Sequence, residues 1–297
     1  MNKYSKFLFL LLAMVSTMAL IAACGDDDDD DDDGGSTTDT PTFTADSTMG
    51  KIAAAKKLTV GVKFDQPGFG LKDPASGKVD GFDIAIAKEI GKALGLSEDQ
   101  IEFTEAVSAN RIPFLQEDKV DLVIATMTIN ADRKKQIDFS RPYYLAGQSI
   151  LVKKDNTTIK SVDDLNGKKV CSVQGSTSEK NVQAKAPQAE LLSLTGYAAC
   201  VSSLKDGRVE AVSTDDIILA GFAAADNTLK LVGGQFTEEP YGIGIKQGKT
   251  DMVEFVDTLI ADWFKDGTWD KIYNKYLGDV EGLPSAADAR AKIPATN

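Results

Sequence analysis

The 297-residue sequence has no histidine and only three cysteines. Without histidine, the chain cannot form a Ser-His-Asp or Cys-His catalytic group, nor a zinc site that needs imidazole. Basic residues are fewer than acidic ones, 33 against 45, and the formal charge is −12. A basic surface for nucleic acid is therefore not expected, and we expect neither a bound metal nor a cofactor.

The acidic excess is concentrated near the N-terminus. Residues 1–49 hold ten acids and two bases, which leaves 35 acids and 31 bases, a net charge of −4, for residues 50–297. Residues 26–33 are all aspartate, and the residues that follow have nothing apolar to bury. We predict that residues 24–49 form an acidic, flexible tether. Loose cation binding by the aspartate run is the alternative.

Residues 1–23 have the features of a secretory signal. Two lysines precede an apolar run over residues 7–23 that ends in small residues directly before Cys24. The sequence IAACG at 21–25 resembles the lipobox of bacterial lipoproteins. That resemblance implies an acylated Cys24 and an exported protein held at the outer face of the cell membrane or in the periplasm. An ordinary cleaved signal and an uncleaved anchor remain as alternatives.

Two cysteines remain once Cys24 is assigned to the lipid. In an exported protein Cys171 and Cys200 suggest one disulfide, with two buried thiols as the alternative. Closing a loop of this length would stabilise the fold by roughly 3 kcal/mol.

Short apolar segments alternate with amphipathic ones through the rest of the chain. Strands are predicted at 58–62, 101–106, 121–125, 169–173, 191–194, 210–213 and 229–232. Helices are predicted at 82–94, 111–116, 132–136, 178–184, 201–206, 217–225 and 252–265. This alternation predicts an α/β fold with largely parallel sheets.

Two long extended stretches, at 142–153 and 236–246, interrupt this alternation. We predict two α/β lobes joined by two crossing strands, with hinges near 143–147 and 237–241. Lobe 1 would be discontinuous (50–142 and 242–297), lobe 2 would span 148–236, and residues 283–297 would form a loose tail. Ligands of such folds bind in the cleft between the lobes.

Six short motifs occur in order along residues 51–278. They are GVKFD at 61–65, GFD at 81–83, ATMTINADRKK at 125–135, DFSRPYY at 138–144, GRVEAVSTD at 207–215 and YGI at 241–243. Together they resemble the bacterial solute-binding proteins of family 3, which serve ABC-type importers of polar amino acids, and most nearly the members that bind glutamate or aspartate. The resemblance implies a type II periplasmic-binding-protein fold.

A buried amino acid needs fixed partners for its carboxylate and its ammonium group, because unpaired buried charge is costly. The resemblance assigns the α-carboxylate to Arg133, whose planar guanidinium can bind it with two hydrogen bonds. The Thr128 hydroxyl would add a donor. Asp215 would accept the α-ammonium while also capping the following helix, and Asp216 is expected to be solvated.

Side-chain selectivity is assigned to Lys63 and Arg111, with the Thr126 hydroxyl. The resemblance implies that these cations meet a second carboxylate. Three cations against Asp215 give +2, which suits an anionic ligand.

Two further positions complete the predicted site. Ser176, in a turn before a helix, would contact the ligand from lobe 2, with a plain turn as the alternative. Tyr241 would line the cleft or simply pack in the core. Members that take neutral side chains often carry aromatics near Gln66 and Ser108. Their absence here disfavours glutamine.

The sequence therefore predicts capture of glutamate or aspartate by hinge closure and delivery to the permease subunits of an ABC importer. Binding of glutamine or another polar amino acid is the first alternative. A periplasmic dehydratase of the same fold is the second, but no spare carboxylic acid can be placed in the cleft. We expect a monomeric binding protein with no enzymatic activity.

Overall fold

The computed structural model describes residues 41–295. The predicted signal segment 1–23, the lipidation at Cys24 and the aspartate run 26–33 lie outside these residues. The described chain forms two five-stranded sheets, each with helices packed against it. The predicted α/β architecture is therefore confirmed.

The first sheet defines lobe 1. Its strands, in spatial order, are β5 (Ile101–Glu105), β1 (Leu58–Val62), β6 (Leu122–Val123), β15 (Gly244–Ile245) and β7 (Asp138–Phe139). The first three strands run parallel, and β15 is antiparallel to both of its neighbours. Because β15 comes from the C-terminal part of the chain, this sheet is assembled from two separate segments.

The second sheet defines lobe 2. Its strands, in spatial order, are β11 (Glu190–Leu194), β10 (Lys169–Val173), β12 (Ala211–Asp215), β9 (Gln148–Lys153) and β13 (Leu229–Val232). The first three are parallel, and β9 is antiparallel to β12 and β13.

Two strands connect the sheets. The crossover strands β8 (Tyr144–Ala146) and β14 (Glu239–Tyr241) pair antiparallel, within the predicted hinge ranges. A small sheet beside lobe 1 contains β2 (Asp65–Gln66), β3 (Gly70–Lys72) and β4 (Val79–Asp80). This small sheet was not predicted, because two- and three-residue strands carry no readable alternation.

Ten α-helices complete the described part of the chain. They are α1 (Thr48–Ala55), α2 (Phe82–Ala93), α3 (Arg111–Gln116), α4 (Ala131–Lys134), α5 (Thr177–Lys185), α6 (Tyr197–Lys205), α7 (Asp216–Ala225), α8 (Thr250–Asp266), α9 (Thr268–Tyr276) and α10 (Ala286–Ala291). Seven of them correspond to predicted helices, while α1, α9 and α10 were not predicted. Between residues 41 and 295, no helix has the length and apolar content needed to cross a membrane.

The end of the predicted tether is folded, so that part of the prediction is wrong. Ser47 caps α1 by accepting a hydrogen bond from the backbone N–H of Gly50 at 2.9 Å. Thr48 donates to the Asp251 carboxylate from its backbone and its hydroxyl, at 2.6 and 2.9 Å. Phe43 packs edge-on against Phe255. Residues 43–49 thus belong to lobe 1, because they satisfy a carboxylate and bury an aromatic ring on α8.

The predicted loose tail is also wrong for its first part. Helix α10 buries Ala286 and Ala289, and Arg290 forms a two-point ion pair with Asp270 of α9. Helix α10 is stable because its short apolar face packs against α9.

Cys171 and Cys200 form the predicted disulfide, which joins β10 to α6. Both residues are fully buried.

Replacing both of these cysteines with alanine is expected to lower the free energy of unfolding by about 3 kcal/mol, because the bond closes a loop with a sequence separation of 29 residues. Urea unfolding followed by circular dichroism measures this, and Cys24→Ala serves as the matched control because it leaves the pair intact. A loss below about 1 kcal/mol in the double variant would contradict the expectation.

Candidate functional site

The lobe 1 side of the site forms where the parallel strands β1 and β6 end, since their carboxyl ends meet at one sheet edge. Lys63 follows β1, and its ammonium group donates to the Ser108 hydroxyl at 2.9 Å. Arg111, the first residue of α3, donates from Nε to the Ser108 carbonyl at 3.3 Å. Both cations are buried. Ser108 therefore positions Lys63 and Arg111, the two residues predicted to select the side chain of the ligand.

Arg111 also fixes the turn after β6. Its Nη1 donates to the carbonyls of Ala125 and Thr126, at 3.0 and 3.2 Å. Together with the bond to Ser108, these contacts commit Nε and Nη1 to the backbone. The guanidinium thus holds the wall of the site and has less freedom to select a ligand side chain than the sequence suggested.

Thr126 adopts a left-handed backbone conformation, with φ at 45°. Its N–H donates to the Asp83 carboxylate at 2.9 Å, and its hydroxyl donates to Gln66 Oε1 at 3.1 Å. Asp83 also accepts a 2.8 Å bond from the Tyr143 hydroxyl. The conformation is disfavoured for a β-branched residue. The bonds of Thr126 to Asp83 and Gln66 hold it in place, and Tyr143 in turn holds Asp83.

Arg133 lies in α4, whose N-cap Asn130 accepts a hydrogen bond from the Arg133 backbone at 3.0 Å. The guanidinium is buried and donates to the Thr128 carbonyl at 2.6 Å. It also donates to the Gly175 carbonyl of lobe 2 at 3.3 Å. Arg133 therefore lies at the boundary between the lobes, as a residue that grips a ligand there must.

The Thr128 hydroxyl, predicted as a ligand donor, donates instead to Glu239 at 2.7 Å. Glu239 is buried on β14 and also accepts from Asn181 of lobe 2 and from Thr237, both at 2.9 Å. The Glu239 carboxylate thus links lobe 1, lobe 2 and a crossover strand.

Asp215 is the lobe 2 acid of the site. It is the last residue of β12, is buried, and accepts a 2.6 Å bond from the Tyr241 hydroxyl and a 3.5 Å bond from the Ser178 hydroxyl. It occupies the N-cap position of α7, yet its side chain makes no capping bond, so the predicted second role is wrong. The carboxylate is turned toward Tyr241 on the crossover strand instead.

Ser176 and Asp216 both make hydrogen bonds within the protein. The Ser176 hydroxyl caps α5 by accepting a hydrogen bond from the backbone N–H of Glu179 at 2.9 Å. Asp216 was expected to be solvated, which is wrong. It is partly buried and accepts from the Gly147 backbone at 3.2 Å and the Gln235 amide at 2.6 Å.

The buried charges of the site have no ion-pair partners. Within residues 41–295, every ion pair closer than 4.0 Å lies elsewhere in the molecule. Burial, followed by the charge of the nearby Arg111, lowers the pKa of Lys63 to about 7. Burial, followed by the charge of Arg133, lowers the pKa of Arg111 to about 9. The three cations therefore share one space and repel each other.

The acids shift in the opposite direction. Burial, followed by the charge of the neighbouring Glu239, raises the pKa of Asp215 to about 8. Burial likewise raises the pKa of Asp83 to about 7, against the effect of its bond from Tyr143. Burial therefore favours the neutral form of these two acids, as it does for Lys63, in the ligand-free site.

Sequence reasoning missed two of these acids. Glu239 is buried close enough to Asp215 to raise its pKa, and Asp83 is buried near Lys63 and Arg111, so three buried acids accompany the three cations. The predicted surplus of +2 is therefore wrong as a count of buried groups. Asp83 occurs in the GFD motif and could have been noticed, whereas nothing local marks Glu239. Tyr197 was missed too: it is buried, and its interaction with Asp215 raises its pKa further than burial alone.

A cavity of about 330 Å³ lies between the lobes. Arg133 and Ser176 line it, whereas the other predicted site residues do not. Direct contacts close the rest of the cleft: the backbone N–H of Ala198 in lobe 2 donates to Asp65 of lobe 1 at 3.2 Å. The described residues contain no cluster of three or more side chains suited to a metal ion.

Comparison with known proteins gives a consistent result. The chain is 42% identical to the ABC transporter glutamine-binding protein GlnH of Bacillus subtilis, over 90% of this chain and 96% of that protein. It is 33% identical to the glutamate-binding protein GluB of Corynebacterium glutamicum, over 76% and 82% of the two chains. A solved structure of an ancestral arginine-binding protein bound to glutamine superposes with a TM-score of 0.71 at 43% identity, covering 75% of this chain and 99% of that one.

The predicted type II binding-protein fold is confirmed by this superposition and by a family match over residues 58–279. The chain belongs to the bacterial extracellular solute-binding proteins, family 3.

Proposed function

We propose that the protein captures a polar or acidic amino acid outside the cytoplasm and presents it to an ABC-type importer. The candidates are glutamate, aspartate and glutamine. The ligand binds between the lobes, with Arg133 on its α-carboxylate and Asp215 on its α-ammonium. Closure about β8 and β14 then removes it from water.

One observation carries this proposal: Arg133 on lobe 1 and Asp215 on lobe 2 are both buried, and neither has an ion-pair partner among residues 41–295. Buried charges need compensation. A zwitterion supplies a carboxylate for the first and an ammonium for the second. Burial raises the pKa of Asp215, so pairing with the ligand ammonium requires loss of the Asp215 proton.

The charge of the ligand side chain is the open part of the proposal. Lys63 and Arg111 favour a carboxylate, which makes glutamate or aspartate the expectation from sequence. The buried acids Asp83 and Glu239 offset those cations, and a relative 42% identical is named as glutamine-binding. Glutamine is therefore an equal candidate.

Attachment outside the cell is part of the proposal. The apolar run 7–23 and Cys24 support export and acylation. The lipid would hold lobe 1 near the membrane through the residues before α1, where permease subunits would meet the closed form.

The matched family and the relatives are solute-binding proteins, so the chain is a binding protein and not an enzyme. The dehydratase alternative is dropped for that reason.

Isothermal titration with glutamate, aspartate and glutamine tests the proposal. We expect at least one of them to bind with micromolar or tighter affinity, about −8 kcal/mol or more favourable. If glutamate binds, raising the salt concentration should weaken it more than glutamine, since only glutamate carries a net charge. Absence of heat with all three ligands would overturn the substrate class, and arginine serves as the basic control ligand.

A further inference from the structure

Glu239 is a buried acid that the proposed ligand contacts do not use. It lies on the crossover strand β14 and is 3% exposed. Oε2 accepts a hydrogen bond from the Thr128 hydroxyl at 2.7 Å. Oε1 accepts from the Asn181 amide and from the Thr237 hydroxyl, both at 2.9 Å. The fold itself therefore supplies the hydrogen bonds that a buried carboxylate needs.

The lobe 1 side of Glu239 is fixed by backbone pairing. Thr128 and Tyr241 form an antiparallel bridge, and the Ile129 N–H donates to the Pro240 carbonyl at 2.8 Å. These contacts join the segment that carries Thr128 directly to β14. The bond between Thr128 and Glu239 therefore lies within one hydrogen-bonded unit, and movement of lobe 2 does not need to break it.

The lobe 2 partner of Glu239 is Asn181 on α5. Its amide nitrogen donates to Glu239 and also to Gln148 Oε1 on β9, at 2.8 Å. The Gln148 amide nitrogen donates in turn to the Ser178 carbonyl and the Ser213 hydroxyl, at 3.0 and 2.9 Å. These other partners all belong to lobe 2, so a movement of lobe 2 away from lobe 1 would carry Asn181 away from Glu239.

Glu239 also lies near both charged groups assigned to the ligand. Burial lowers the pKa of Arg133, and the charge of Glu239 is the largest effect in the opposite direction. After burial, the charge of Glu239 is the largest cause of the raised pKa of Asp215. Beside it, the hydroxyls of Thr128 in lobe 1 and Thr177 in lobe 2 are 3.3 Å apart. The Asn181–Glu239 bond therefore forms where the lobes close around the ligand.

We propose that Glu239 is a positioning residue that holds the closed form of the protein through the hydrogen bond that its carboxylate accepts from Asn181. This inference rests on the proposed function and adds to it the control of ligand release. Hydrogen bonds to an ionised group are stronger than those between neutral groups, and this one is made only while the lobes are closed. A ligand that leaves after the lobes open is therefore retained longer than its own contacts would keep it.

The test is stopped-flow tryptophan fluorescence with L-glutamine and L-glutamate. In Glu239→Ala and in Asn181→Ala we expect the dissociation rate to rise about tenfold, the effect of one hydrogen bond to a charged group. The association rate should change by less than about twofold, because the ligand enters the open form. Glu239→Gln should dissociate nearly as slowly as the wild type, since its amide oxygen still accepts from Asn181 and the Thr128 hydroxyl can accept from its amide nitrogen.

A double variant and a neighbouring acid make the test specific. If the two residues act through one bond, combining Glu239→Ala with Asn181→Ala should give dissociation no faster than Glu239→Ala alone. Glu238 is the exposed acid directly before β14, and Glu238→Ala should behave as the wild type. Asn181 is only partly buried, so Asn181→Ala carries the test if Glu239→Ala fails to fold.

An unchanged dissociation rate in Asn181→Ala, or effects of the two substitutions that multiply in the double variant, would overturn this inference. A merely structural role of Glu239 would lower the thermal midpoint and leave the ratio of the two rates unchanged.

Small-angle X-ray scattering of the ligand-free protein gives a measurement that does not depend on the ligand. Asn181→Ala should have a larger radius of gyration than the wild type, because its lobes separate more readily. If the wild-type protein bound none of glutamate, aspartate and glutamine, the proposed function would fail. Equal radii for the two proteins would then overturn the role of Glu239 as well, whereas a larger radius for the variant would support it.

Discussion

Arg133→Ala is expected to abolish measurable binding of every amino acid, whatever its side chain. The guanidinium is buried, donates to the Thr128 carbonyl and reaches Gly175 across the cleft. Its removal would leave the α-carboxylate buried without a partner. Truncating one member of a buried charge pair costs about 3–5 kcal/mol, roughly a hundredfold to several thousandfold in affinity.

The comparison variants for Arg133 make the test specific. Lys134→Ala removes an exposed neighbouring cation from the same helix and should leave the affinity nearly unchanged. Arg133→Lys keeps the charge but loses the planar two-point geometry, so it should recover only part of the affinity. Equal losses for glutamate, aspartate and glutamine in Arg133→Ala are expected, since all three share the α-carboxylate. A loss confined to one ligand would assign Arg133 to the side chain instead.

The regular parts of the fold were predictable because their signals are local. Strands β1, β10 and β13 have the predicted bounds, since each is a short apolar segment bounded by polar turns. The helix α8 was readable from its apolar spacing in the same way. In contrast, α10 has two buried alanines as its apolar face, and only its packing on α9 distinguishes it from a loose tail.

The site was less predictable because its decisive contacts are long-range. Glu239 pairs with Thr128 across 111 positions of sequence, and no local pattern announces such a bond. Asp83 resembles an ordinary acid in the first turn of a helix, yet it is fully buried and accepts from Thr126 and Tyr143. The resemblance to family motifs predicted the buried cations, but it did not predict which acids the fold buries near them.

The buried acids make ligand binding depend on pH, and the largest effect is expected at Asp215. Burial raises the pKa of Asp215 to about 8 in the ligand-free protein. The Asp215 carboxyl group is therefore mostly protonated below pH 8. The ligand ammonium needs the carboxylate, and binding must therefore release a proton. Affinity should rise with pH up to about 8 and fall by close to tenfold for each unit below it.

Asp215→Asn should weaken binding by about a hundredfold at pH 8, because the amide keeps the shape but not the charge. It should also remove the pH dependence, since no proton is then released at this position. Titration in two buffers of different ionisation enthalpy counts the protons, and Asp155→Asn is the control because Asp155 is an exposed acid of lobe 2.

The same substitution makes an independent prediction for the ligand-free protein. A carboxyl group whose pKa is higher in the folded than in the unfolded chain binds more protons when folded, so its contribution to stability falls as pH rises from about 4 to about 8. Asp215→Asn should flatten that part of the stability curve, measured by urea unfolding at several pH values. An Asn variant that retained both the proton release and the wild-type slope would show that Asp215 does not hold the ammonium group.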